Sequence, residues 1–172
     1  MENDVLSVEI AEHGAELTKL YNKKTGTDLL WDAEPKFWKR HSPVLFPIVG
    51  SVWENEYRNE GTTYALTQHG FARDMEFTLI LEHDDEVRYQ LVSNEETLKK
   101  YPFPFCLEIG YRIYGKKIDV TWEVKNTGEK VKAGTPSNAD SKAIVPVLVA
   151  TNCACFMSCC ESVCASTSII RG

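Results

Sequence analysis

Ile118-Asp119-Val120-Thr121-Trp122-Glu123-Val124-Lys125 carries the clearest strand pattern in the chain. Apolar and polar residues alternate one for one through it. Successive side chains on a strand face opposite ways, so a period of two puts Ile118, Val120, Trp122 and Val124 on one face. Asp119, Thr121, Glu123 and Lys125 take the other. Upstream, Phe105, Leu107, Ile109, Tyr111 and Ile113 alternate with Cys106, Glu108, Gly110 and Arg112. Tyr114-Gly115-Lys116-Lys117 separates the two runs. A glycine in so short a connection predicts a hairpin turn.

The same pattern recurs upstream. Met75, Phe77, Leu79 and Leu81 alternate with Glu76, Thr78, Ile80 and Glu82. His83-Asp84-Asp85-Glu86 turns the chain, and Val87, Tyr89 and Leu91 lead it back. Further strands are expected over residues 6–10, 16–22 and 62–66. Asn22-Lys23-Lys24-Thr25-Gly26 is a turn cluster. Ser93-Asn94-Glu95-Glu96 has the spacing of a helix capping box. Pro102 follows closely, so at most about two helical turns fit there. Short strands at regular spacing, with no long amphipathic helix, predict an all-β sandwich or barrel. One apolar and one charged face per strand predicts antiparallel sheets with one side in water.

The bulk numbers narrow the function classes. The chain has 172 residues, enough for one domain with a real core. A net charge of −6 and a pI of about 5.3 argue against nucleic acid and anionic membranes as partners. Met1-Glu2-Asn3-Asp4 lacks the basic-then-apolar order of a signal peptide. The longest apolar run, residues 143–150, contains Pro146 and is too short to span a bilayer. The expectation is a cytoplasmic protein. Cys106 is the only cysteine in the first 152 residues, which reads as a reduced body rather than a disulfide framework.

The composition changes after Lys132. Beyond it only Asp140, Lys142, Glu161 and Arg171 are charged, and Phe156 is the sole aromatic residue. Alanine, serine, threonine and cysteine dominate, and no strand or helix period persists. Residues 132–172 read as a tail of another kind joined to residues 1–131. It is expected to be disordered or the product of a shifted reading frame or retained non-coding sequence. Cys153, Cys155, Cys159, Cys160 and Cys164 crowd within it. They contain no Cys-x-x-Cys pair and no histidine follows His83, so no metal site is expected.

Two segments are not explained by strand patterning. Arg40-His41-Ser42-Pro43-Val44-Leu45-Phe46-Pro47-Ile48-Val49-Gly50 sets two prolines around an apolar core. Proline cannot donate to a ladder, so composition alone makes this a bent, buried or edge segment. Gln68-His69-Gly70-Phe71-Ala72-Arg73-Asp74 sets an imidazole beside a glycine and a guanidinium four residues on. In isolation a His-Gly pair more often caps a turn. His and Arg together also supply donors suited to sugar hydroxyls and a ring oxygen.

Ser42-Pro43-Val44-Leu45-Phe46-Pro47-Ile48-Val49-Gly50, taken with His69-Gly70-Phe71-Ala72-Arg73, resembles the signature of the aldose 1-epimerase (galactose mutarotase-like) family. The resemblance is to its LacX-like bacterial branch. Gly61-Thr62-Thr63-Tyr64-Ala65-Leu66 fits as the strand leading into the histidine, and Val124-Lys125-Asn126-Thr127-Gly128 resembles a strand end usual in the family. It covers residues 5 to 131, the N-terminal part only. It implies a galactose mutarotase-like antiparallel β-sandwich truncated at its C-terminal side. It also implies interconversion of the α and β anomers of a free sugar. A base removes the anomeric hydroxyl proton while an acid protonates the ring oxygen, the ring opens, and it recloses on the other face. No cofactor or metal is needed, and the partner is a small sugar, either an aldose or a sugar phosphate.

Residue by residue, the resemblance makes His69 the first of the family's two active-site histidines, holding the ring oxygen and a neighbouring hydroxyl. Arg73 and Phe71 match positions near the sugar, and His41 lines the rim. His13 in the opening hairpin is expected to be structural and His83 solvated. The second histidine is missing: Lys132-Ala133-Gly134-Thr135-Pro136 stands in its place. The glutamate base has no counterpart, and Ser51 replaces a basic residue often found after the first motif. Impaired catalysis is therefore expected. A non-catalytic sugar-binding module and a non-functional fragment are the alternatives.

Overall fold

The hairpin that opens the sequence reading is the central unit of the structure. In the computed structural model, β8 (Phe105–Tyr114) and β9 (Lys117–Asn126) pair antiparallel without a register break. Ile109 lies opposite Trp122, and Gly115 makes the turn with φ +56. The described residues are 1–128, with the backbone of 164–170. Around the hairpin, β6 (Thr78–Glu82), β7 (Glu86–Val92) and β10 (Cys164–Ile170) complete a five-stranded sheet in the order β10-β9-β8-β7-β6. Only β10 joins in parallel. A second sheet holds β1 (Leu6–Ile10), β2 (Leu17–Asn22) and β3 (Thr27–Asp28), and β4 (Glu56–Asn59) pairs with β5 (Thr62–Ala65) in a two-stranded ribbon.

The two larger sheets share one core. Leu6, Val8, Leu17 and Leu20 pack in the same cluster as Val87, Tyr89, Leu91, Leu107, Ile109, Ile113 and Ile118. Val87, Tyr89, Leu91, Leu107, Ile109, Ile113 and Ile118 are residues of the alternating runs, whereas Leu17 and Leu20 are three apart and follow no period of two. The Tyr111 hydroxyl donates to the Ala15 carbonyl at 2.7 Å, a buried tie 96 residues apart in sequence. An aromatic group lies at one end of the core, where Phe46 sits 4.8 Å from Phe105, with Phe71 and Tyr101 edge-on to it.

Three details differ from expectation. The charged face of β8 is not all in water: Glu108 is 8% exposed. Its carboxylate accepts from Gln90 Nε2 at 3.0 Å and lies near Arg88 and Lys125 at 3.5 and 3.6 Å. Burial raises the Glu108 carboxyl, but the Gln90 amide and the Lys125 and Arg88 charges outweigh it and hold it below its ordinary value. The helix α1 (Glu95–Lys100) is capped by Asn94, not Ser93. Asn94 Oδ1 accepts from the Glu96 and Thr97 amides, and the Thr97 hydroxyl closes the box. Ser93 instead accepts from the Phe105 amide. Finally, β6 starts at Thr78, because Met75 and Phe77 bond back to the opening hairpin at Gly14 and Glu12. Within the tail, the backbone of β10 lies along β9. The rest of residues 132–172 lies outside the described residues, as does the reading of that tail.

Candidate functional site

A buried carboxylate starts the site. Glu16 is 8% exposed, and its Oε1 accepts from the His41 and Ser42 amides at 2.7 and 2.8 Å. The Ser42 hydroxyl donates to the Leu17 carbonyl at 2.8 Å. A buried charge needs such partners, so the end of β2 and the head of the 40–50 segment are fastened together. Sequence reading placed Glu16 in a strand and missed this role.

The segment then meets the histidine turn. The Phe46 carbonyl accepts from the Phe71 and Ala72 amides at 2.9 and 3.2 Å. Gly70 makes the contact possible. Its φ is +73, and a Cβ there would lie 2.2 Å from the Phe46 oxygen. The opening hairpin docks alongside, where Gly14 donates to the Met75 carbonyl and His13 Nδ1 meets Glu76 Oε1 at 2.6 Å. His13 is thus an exposed structural contact, and His83 is exposed at the β6–β7 turn.

His69 is held from two sides by one glycine. Its amide donates to the Gly50 carbonyl at 2.7 Å, and the Gly50 amide donates to its Nδ1 at 3.0 Å. Its backbone is left-handed, with φ +66, a conformation costly for a non-glycine residue. An Nδ1 that accepts a hydrogen bond leaves the neutral ring its proton on Nε2. Burial, then the Arg73 charge, lowers the imidazole's affinity for a second proton. The half-buried ring is set up as a neutral N–H donor.

Arg73 leaves the same turn. Its Nη2 donates to the Gln68 carbonyl at 2.9 Å, while its buried Nε has no hydrogen-bond partner. Asp74 lies between two guanidinium groups, 3.6 Å from Arg73 Nε and 2.5 Å from Arg40 Nη2. Arg40 also donates to the Arg73 carbonyl at 3.3 Å. Arg40, His69, Arg73, Asp74 and Gly50 are therefore brought together from two distant segments. Phe71 is placed beneath them: it is 4% exposed, its ring 6.2 Å from Phe46 and 6.1 Å from Phe105. It supports the turn from the core. His41 is half-buried, fixed through its amide to Glu16 and next in sequence to Arg40.

Among the described residues, no group of three or more His, Cys, Asp or Glu side chains is arranged to hold a metal ion. The five tail cysteines, and the call of no metal site among them, lie outside those whose side chains are described. No described helix is long and apolar enough to cross a membrane.

Known proteins resemble this chain in sequence and in fold. Residues 1–136 match the family model described as aldose 1-epimerase. Protein LacX of Lactococcus lactis subsp. lactis is 32% identical over 136 residues, which is 73% of this chain and 44% of LacX. A galactose mutarotase-like protein from Lactobacillus casei superimposes with a TM-score of 0.73 at 38% identity, covering 76% of this chain and 44% of that one. A galactose mutarotase related enzyme from Lactobacillus acidophilus gives 0.67 at 40% identity, covering 67% and 39%. The chain spans less than half the length of these relatives. Its antiparallel sheets around one core are those of the galactose mutarotase-like β-sandwich, which the resemblance implied, while the alternation alone implied an all-β sandwich or barrel. The chain belongs to the aldose 1-epimerase family, whose N-terminal part it carries.

Proposed function

We propose that this chain carries the sugar-holding part of an aldose 1-epimerase site. It binds a free aldose or sugar phosphate through His69 and Arg73 and interconverts its anomers weakly or not at all. The observation that carries the reading is the Gly50 amide on His69 Nδ1, which turns an Nε2–H donor toward a ligand. Such a donor holds the ring oxygen and the neighbouring hydroxyl, and Arg73 offers its fork to a further hydroxyl. His41 borders the entry and Phe71 keeps the turn rigid.

Anomer exchange needs a base at the anomeric hydroxyl and an acid at the ring oxygen. His69, kept neutral, is a poor acid. No second histidine follows His83, and Glu161 is the only glutamate after Glu129. Binding without efficient turnover follows. An acidic chain argues against nucleic acid and anionic membrane as partners, and the buried free thiol of Cys106 fits a cytoplasmic setting.

Polarimetry on freshly dissolved α-glucose and α-galactose, paired with calorimetric titration of the same sugars, tests the reading. Saturable binding with a mutarotation rate at the solvent baseline is expected. A clear acceleration overturns the claim of impaired catalysis, and absence of binding overturns the site.

A further inference from the structure

Trp53 is 86% exposed, the largest exposure among the big hydrophobic residues of the described chain. It contributes nothing to the core, while its neighbour Val52 is half-buried against it. The backbone around it is unusual. Glu54 and Asn55 are both left-handed, with φ of +54 and +57, and Gly50 has φ +85. Two consecutive non-glycine residues in that region are costly, and the turn they make throws the indole outward.

One foot of this short loop stands on the histidine turn and the other on Leu66, two residues before it. At one end Gly50 is bonded to His69 through its amide and its carbonyl. At the other the Asn55 carbonyl accepts from the Leu66 amide at 2.8 Å, and Leu66 is 3% exposed. The Asn55 amide bonds back to the Val52 carbonyl at 3.1 Å and closes the apex. The Cα of Trp53 is three residues from Gly50, hence within about 10 Å of it. The β4–β5 ribbon that continues the loop is anchored in turn, since the Tyr57 hydroxyl donates to the Lys100 carbonyl at 2.9 Å. Burial, then Tyr64, pushes that phenol up to about 12, so it stays a donor.

We propose that Trp53 is a specificity-determining residue of the His69 site, its indole stacking on the C–H face of a pyranose whose hydroxyl rim is held by His69 and Arg73. A pyranose has one surface of each kind, a polar edge and an apolar face. Ligand sites combine a few placed donors with an aromatic wall for that reason. The indole selects the closed ring over an open-chain polyol, which has the hydroxyls without the flat face. This inference rests on the proposed reading of His69 as a sugar donor.

Calorimetric titration of the full chain with D-galactose, D-glucose and galactitol, on the wild type, Trp53→Ala, Trp53→Tyr and His69→Asn, tests it. Trp53→Ala is expected to weaken aldose binding at least about fivefold, with Trp53→Tyr within about twofold of wild type. The melting temperature of both tryptophan variants is expected to stay unchanged, because the side chain lies outside the core. Galactitol is expected to bind more weakly than either aldose to the wild type and to lose that disadvantage in Trp53→Ala. Aldose binding by Trp53→Ala equal to wild type, with His69→Asn defective, overturns the role of Trp53 and leaves the His69 reading standing. No binding by the wild type overturns both.

Discussion

At the scale of single residues, the site is set by how the histidine turn is fastened. His69 and Gly70 are both left-handed, and Gly70 has no room for a Cβ against the Phe46 carbonyl. Gly70→Ala adds an atom into backbone and not into a flexible side chain. Its cost should exceed the roughly 1–2 kcal/mol that left-handed backbone alone imposes on an L-residue, read as a fall in the urea midpoint. His69 also links stability to pH. Folding lowers its proton affinity from the ordinary 6.5, so the unfolded chain takes up the proton first as the solution is acidified. The contribution of the neutral imidazole is complete above 6.5 and drains away as the pH falls through the lowered folded value. The gap in melting temperature between wild type and His69→Gln should therefore narrow from about pH 7.5 to about pH 5.5. The motif at 69–73 was legible in the sequence, but the partners were not. Gly50, Glu16 and Asp74 act through contacts made 19 to 34 residues away, which no local pattern encodes.

At the scale of elements, alternation located the strands that bury one face. β1, β7, β8 and β9 lie where apolar residues recur every second position, because the core enforces the period. β4 was not foreseen, since Glu56, Arg58 and Asn59 belong to a ribbon that packs little against the core. β3 is two exposed residues, too short for any period. The helix was expected in the right place with the wrong cap. Asn94 and Ser93 are both good caps, and only the demand of the Phe105 amide for Ser93 decides between them. The tie between the sheets was equally hidden: Tyr111 reads as one more inward aromatic residue, but its hydroxyl holds the Ala15 carbonyl. Tyr111→Phe should cost about 1–3 kcal/mol in chemical denaturation, because a buried acceptor loses its partner.

At the scale of the whole molecule, two segments far apart in sequence bring Arg40, Arg73 and Asp74 together, with His69 in the same turn as Arg73 and tied to Gly50, beside a shared core. On the proposed function, holding a sugar draws on donors positioned by this chain's own backbone, such as His69 held by the Gly50 amide, while transforming it needs a separate acid and base. The change of composition after Lys132 is legible in the sequence and has no signature among residues 1–128. The proposed site depends on the state of one imidazole, and long-range nitrogen–proton NMR of His69 observes it directly. The expected result is a neutral ring protonated on Nε2, a titration midpoint below 6.5, and a shift of the Nε2 resonance when D-galactose is added. A ring protonated on Nδ1, a midpoint above 6.5, or an Nε2 signal indifferent to saturating sugar contradicts it.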